Sequence, residues 1–158
     1  MDAQSTMTRE VFTVDPHHLL GFVWSLMSKH HVRHIPVVEN GKLVGILSDR
    51  DILVRSSMDG GLLFVPTMRV ENAMTRNLVT CRKDASIGAV CDAMLANTID
   101  CVPIVENDNL VGLITSTDLI RLLRGNEEIW MTKPLPFTFK VTREDFEEVP
   151  QVALGIPG

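Results

Sequence analysis

Two four-residue elements could do chemistry: Ser48-Asp49-Arg50-Asp51 and Thr115-Ser116-Thr117-Asp118. Each sets a hydroxyl three residues ahead of a carboxylate, where an apolar run gives way to a helical pattern. The unpaired N–H groups and partial positive charge of a helix start can hold a phosphate. A Ser or Thr hydroxyl there can donate to a phosphate oxygen, and an Asp in the first turn can accept both hydroxyls of a ribose diol. Arg50 adds a planar fork for phosphate that Thr117 lacks. The same spacing is also a helix-capping signature worth about 0.5–2 kcal/mol, the hydroxyl satisfying an orphan N–H and the carboxylate opposing the dipole. Spacing alone leaves both readings open.

A second cluster, His30, His31 and His34, invites a metal reading, because residues four apart share a helix face. The reading fails on what stands at the corresponding place in the other half of the chain. There, residues 97–101 read Asn-Thr-Ile-Asp-Cys and hold no histidine. In both halves the residues before the proline belong to a strand, so the spacing from His30 to His34 crosses an element boundary. No metal is expected. His30 and His31 fit a helix end, where a cation suits the dipole.

The elements that must position these residues come as a repeat. MTREVFTV from Met7 aligns with MTRNLVTC from Met74, and HIPVVENGKLVGILSDRDIL from His34 aligns with CVPIVENDNLVGLITSTDLI from Cys101, all at one offset of 67 residues. About a third of the aligned positions are identical. Each copy then shows a helical stripe at i, i+3, i+4 and i+7: Leu20, Val23, Trp24 and Met27, then Ile87, Val90, Cys91 and Met94. Two short apolar runs follow, joined by Asn40-Gly41 in the first copy and Asn107-Asp108 in the second, which predicts tight hairpins. Pro36 and Pro103 place the first strand of each hairpin at an edge or a bulge, and Gly45 and Gly112 mark close approach to the backbone of the second. A helix closes each copy, so the unit is strand, helix, strand, strand, helix. One unit is too small to bury its sheet and helices alone, and two packed together solve that problem.

The boundaries expected are a first repeat at 1–60, a linker at 61–72, a second repeat at 73–124 and an extension at 125–158. Asp59-Gly60-Gly61 and Pro66 predict a turn or loop in the linker. Phe137, Phe139 and Val141 alternate as a strand would, although four prolines break up the extension.

Totals narrow the function classes. An apolar content of 45 % is enough for a core. The formal charge of −5, with no basic block, argues against nucleic acid as a partner. No apolar run approaches the roughly 18 residues of a membrane span, and the N-terminus lacks a signal pattern. Cys81, Cys91 and Cys101 have no paired short spacing, which suits reduced thiols and a cytoplasmic location. Gly-x-Ser-x-Gly, P-loop and His-Glu-x-x-His motifs are absent, so an enzyme is not expected.

The MT segment, the helix, and h-P-V-V-x-x-x-x-L-V-G-h-h-[ST]-x-x-D followed by a helix resemble the CBS domain, and the two copies resemble a CBS pair, or Bateman module, from Met7 to about Leu123. The resemblance implies a mixed α+β fold: two β-α-β-β-α repeats packed as a pseudo-twofold pair, here standing alone. It implies a regulatory, energy-sensing module that binds AMP, ADP or ATP, ahead of S-adenosylmethionine or NAD, in clefts between the repeats. No catalytic cofactor is implied. Signalling would pass to an unidentified partner or through a homodimer of pairs; the alternative is a ligand-free dimerisation module. By the same resemblance, Ser48, Asp51, Thr115 and Asp118 hold phosphate and ribose, with Arg33, Arg50 and Thr117 beside them. The adenine pocket falls to Thr13, Val14, His34, Ile35 and Pro36, and to Thr80, Cys81, Cys101, Val102 and Pro103, all of which also fit a core. Arg33 and Arg50 face Asp100 and Thr117 as counterparts, which makes repeat one better equipped for phosphate.

Overall fold

The computed structural model describes residues 1–125, so the strand expected around Phe137 lies outside the described residues. The repeat in sequence is a repeat in space. Helix α1 (Ala3–Thr6) precedes α2 (Leu20–His30), the hairpin β1 (His34–Glu39) and β2 (Lys42–Ser48), and α3 (Asp49–Leu53). A small hairpin, β3 (Ser57–Asp59) and β4 (Leu62–Phe64), follows. The second copy consists of β5 (Cys81–Arg82), α4 (Ile87–Asn97), the hairpin β6 (Cys101–Glu106) and β7 (Asn109–Thr115), and α5 (Ser116–Gly125). The large helices begin and end at positions 67 apart, and their C-caps, His31 and Thr98, are both left-handed at φ 54°. The hairpin turns repeat as closely, with positive φ at Asn40 and Gly41 and again at Asn107 and Asp108. Two successive positive φ values are the turn geometry that matches strand twist.

The stripes bury as their spacing requires. Leu20, Val23 and Met27 enter one core with Ile35, Val37 and Leu47, and Val90 and Met94 enter another with Val102, Ile104 and Ile114. Each such side chain contributes about 1.5–3 kcal/mol. What completes each core comes from outside its own repeat. Ala3 and Met7 pack into the second core, and Val70, Ala73 and Met74 into the first. The backbone does the same: Ala3 N–H donates to Ala85 O at 2.8 Å and Thr8 bridges Leu113, while Val70 N–H donates to His18 O at 2.9 Å and Thr75 bridges Ile46. The lead-in segments are thus exchanged between the repeats, and β2 packs against β7 at the seam.

This exchange explains the glycines. A Cβ on Gly112 would stand 2.5 Å from Met7 Sδ and 3.0 Å from the Thr8 carbonyl, and one on Gly45 would stand 2.5 Å from Met74 Sδ. The close approach expected at both positions is the MT segment of the exchanged lead-in.

One expectation changes and two are sharpened. The strand after each MTR shrinks to the two residues of β5 in the second copy, and in the first to one parallel bridge, Val14 to Val37. The reason is local: Met7 and Thr8 are already paired across the seam, and Pro16 stops the run two residues after Val14. The prolines sit next to bulges, with register shifts at Val37/Val38 and Ile104/Val105, yet β6 is the middle strand of its sheet. Two-residue β5 pairs only with Ile104 and Val105, which leaves Pro103 outside the β5–β6 ladder while it stands opposite Leu113 in the β6–β7 one. Finally, the segment after Met58 is not plain loop but the hairpin β3–β4, turned by Gly60 and Gly61 at φ 55° and 79°.

Candidate functional site

The exchange also makes two clefts, each walled by both repeats. Strand β7 ends and α5 begins at Thr115, opposite the stretch between α2 and β1. Thr115, Ser116, Thr117 and Asp118 therefore share a cleft of about 350 Å³ with Val11, Phe12 and residues 30–34. The pseudo-equivalent cleft, about 230 Å³, sets Ser48, Asp49, Arg50 and Asp51 against Leu78, Val79 and residues 98–101. Pockets for drug-sized ligands measure about 300–1,000 Å³. The Asp118 cleft lies in that range, and the Asp51 cleft, also open to solvent, is somewhat smaller.

The hydroxyl–carboxylate elements have the same skeleton but different closure. Asp51 Oδ2 accepts from Ser48 N–H and from Ser48 Oγ, both at 2.8 Å, and Ser48 Oγ accepts from Asp51 N–H at 3.1 Å. That is a complete capping box, so the capping reading holds for α3. At α5, Asp118 Oδ2 accepts from Thr115 N–H and Oγ1 at 2.8 Å, while Asp118 Oδ1 stands 3.5 Å from Arg121. In both elements the carboxylate bonds that fix the turn run to Oδ2 alone; at Asp118 the second oxygen faces Arg121, and a carboxylate oxygen outside the turn is what a diol needs.

Arg33, His34 and Asp100 border both clefts. Asp100 is the repeat counterpart of Arg33, and Cys101 that of His34. His34 Nε2 lies 3.0 Å from Asp100 Oδ1, and Arg33 Nε donates to Asp49 Oδ2 at 3.3 Å. Burial lowers the His34 pKa, outweighing the opposing pull of Asp100. The ring is thus favoured neutral, with Nε2 beside the Asp100 carboxylate. Burial, with Asp100 and Asp118 nearby, pushes the Cys101 thiol far up, and burial also raises Cys81, so neither is an activated thiolate.

Of the residues marked in the sequence, Ser48, Arg50, Asp51, Cys101 and Pro103 meet in the Asp51 cleft, and Thr115, Thr117 and Asp118 in the Asp118 cleft, with Arg33 and His34 common to both. Val14, Ile35, Pro36 and Val102 are buried and line neither. Thr13 opens onto a separate concavity beside Arg9 and Gly41, Thr80 is exposed, and Cys81 packs against the second core. The cleft-facing stretch therefore comes a few residues earlier than the marked one, because the Val14 bridge to Val37 turns that residue into the core. Sequence reasoning missed Thr8, Glu10, Phe12, Leu78, Val79 and Arg121. The signal was present in Gly45 and Gly112, whose need for close neighbours points to the lead-in segments as wall.

His30 ends α2, His31 is its cap and His34 opens β1, so the element boundary falls inside the histidine cluster. His30 instead meets the Phe12 ring at 4.2 Å between centroids. Among the described residues no group of His, Cys, Asp and Glu is placed to hold a metal ion, and no helix is long and apolar enough to cross a membrane.

A model of the CBS domain family matches residues 3–57 and again 70–125. The chain is 37 % identical over 124 residues to the CBS domain-containing protein YhcV of Bacillus subtilis, a match spanning 78 % of this chain and 86 % of that protein. It is 30 % identical over 121 residues to an inosine-5'-monophosphate dehydrogenase of Methanocaldococcus jannaschii, spanning 75 % of this chain but 23 % of the enzyme. Among solved structures it is similar to the CBS domain pair of protein MJ0100 in complex with 5'-methylthioadenosine and S-adenosyl-L-methionine, at TM-score 0.69 and 27 % identity, over 79 % of this chain and 97 % of that one. With two family matches on a mixed helix and strand fold built as two exchanged copies of one unit, the chain belongs to the CBS domain family and carries its domains as a tandem pair.

Proposed function

We propose that this CBS pair is a regulatory module that binds an adenosine-containing ligand, of the AMP, ADP or ATP class, in the Asp118 cleft. The observation that carries the reading is the meeting, in about 350 Å³, of the Thr115 and Asp118 element with Phe12 and residues 30–34 of the other repeat. Asp118 Oδ1 accepts the ribose hydroxyls, the start of α5 faces the phosphate, and Phe12 offers a flat apolar wall for the base. The similar pair of MJ0100 holds adenosine compounds, which supports the class of ligand. The module acts without turnover and without a catalytic cofactor. Its ligand shifts the relative orientation of repeats or protomers to the extent that it binds one arrangement better. The free thiols fit a cytoplasmic site of action.

A thermal-shift panel tests this. AMP, ADP, ATP, 5'-methylthioadenosine and S-adenosylmethionine are each added at millimolar concentration to the wild-type protein and to Asp118→Ala. A raised melting temperature in wild type, largely reduced in the variant, is the expected result. No shift with any of the five compounds contradicts the reading.

A second reading, dimerisation without ligand, draws on the exposed apolar side chains of the helices: Phe22 on α2, Leu53 on α3, Leu95 on α4 and Ile120 on α5. Leu53 and Ile120 are repeat counterparts, as expected of a face that docks a second pair about a twofold axis. We place a homodimer here as the route for the signal. Sedimentation of Leu53→Glu/Ile120→Glu should give a monomer where wild type gives a dimer. If that variant regulates a partner as well as wild type does, the signal does not pass through the dimer.

A further inference from the structure

The wall between the clefts is electrostatically lopsided. Three residues border both: Arg33, His34 and Asp100. In a fully symmetric pair, two arginines would stand there, one for each cleft. Here the counterpart of Arg33 is Asp100, and His34, the neighbour that could add charge, is held toward its neutral form. The shared wall thus supplies one cation for two clefts. Arg33 leaves the end of α2 just before β1, its side chain is 66 % exposed, and a single contact to Asp49 at 3.3 Å holds it on the Asp51 side. A solvent-exposed pair of that length is weak enough for the guanidinium to be redirected.

The private cations do not restore the balance. Arg121, in the Asp118 cleft, already faces Asp118 at 3.5 Å. Arg50 belongs to the Asp51 cleft alone, which Asp49, Asp51 and Asp100 also line. In each cleft the carboxylates outnumber the private arginine, and Arg33 is the cation on which a phosphate in either cleft can draw.

We propose that Arg33 is a single phosphate-recognising side chain shared by both clefts, so that a phosphorylated adenosine ligand bound in one weakens the binding of a second in the other. The inference rests on the reading that these clefts bind adenosine ligands. It makes the pair selective by charge: a nucleoside without phosphate fills the clefts independently, whereas AMP fills them in sequence. The penalty on the second AMP is about tenfold, the scale of losing one charge-assisted hydrogen-bonded contact.

Calorimetric titration separates the possibilities, with AMP and 5'-methylthioadenosine as probes of the full chain. Asp118→Ala disables the first cleft and leaves Arg33 free for the second. The Asp51 cleft should then bind AMP about tenfold more tightly than the second AMP binds to wild type, with no such gain for 5'-methylthioadenosine. In Arg33→Gln the AMP gain should vanish. If Asp118→Ala does not fold, the two stepwise constants of the wild type serve instead, their ratio being about tenfold larger for AMP than for 5'-methylthioadenosine. Equal ratios, or an AMP constant in the Asp51 cleft indifferent to Asp118→Ala, overturn the sharing while leaving the binding reading intact. Absence of heat from either probe in wild type overturns the binding reading and the sharing with it.

Discussion

The two clefts share a backbone and differ in nearly every side chain that a ligand would meet. Left-handed caps at His31 and Thr98, seam bridges at Thr8 and Thr75, and the two hydroxyl–carboxylate turns coincide under the offset of 67 residues. Phe12 against Val79, His31 against Thr98, Arg33 against Asp100 and Thr117 against Arg50 do not. Residues that hold the exchanged seam and the two turn carboxylates have been kept in both copies, and the charged and aromatic residues facing the cleft have not. The duplicated scaffold thus carries one larger cleft and one smaller one whose helix start holds a complete capping box.

The comparison can be broken hardest at the seam. Gly112→Ala should cost about 3 kcal/mol and Gly45→Ala about 1 kcal/mol in urea unfolding. The difference follows from what each Cβ would meet: Met7 Cγ at 2.7 Å and a carbonyl at 3.0 Å for Gly112, against 3.0 Å and 3.2 Å for Gly45. Equal losses would mean that the two seams pack alike.

Next in size is the ligand. AMP at 100 times its dissociation constant should add about 2.7 kcal/mol to wild type. Asp118→Ala should lose most of that gain, and Asp51→Ala should keep it. The reverse pattern would assign the ligand to the smaller cleft. The caps come third: Ser48→Ala should destabilise by about 1 kcal/mol because it opens the complete box of α3. Thr115→Ala should cost less, since the bonds there run from Thr115 to the carboxylate.

The smallest effect concerns the shared wall. Burial holds the folded pKa of His34 below the ordinary 6.5, so the unfolded chain binds more protons there than the native one. Stability should therefore be full above pH 6.5 and fall as the pH drops through the interval between the unfolded and folded values. His34→Gln should flatten that fall by a fraction of the cap effect, as read from urea midpoints at pH 7 and pH 5.

Much of this was legible in the sequence, for a physical reason. Periodicity reports burial, so the stripes at Leu20, Val23 and Met27 and at Val90 and Met94 are found in their cores. The turn residues Asn40-Gly41 report backbone dihedrals and gave the hairpin. Glycine reports crowding, and Gly45 and Gly112 pointed to a neighbour without naming it. The neighbour was hidden because residues 1–8 pack on a repeat more than 70 positions away in sequence, a contact that no local pattern encodes. For the same reason the cleft wall at Phe12 was misplaced onto Thr13 and Val14. Arg33 and Arg50 looked like equipment of one repeat, whereas the exchange divides them between one shared wall and one private one.

The central claim is that the ligand sits where the nonrepeated residues made room for it. A crystal structure of the wild-type protein grown with AMP at saturating concentration tests it most directly. The account predicts AMP in the Asp118 cleft, its ribose on the Asp118 carboxylate and its phosphate drawing Arg33 away from Asp49. AMP in the Asp51 cleft alone, with Arg33 still on Asp49, would contradict it.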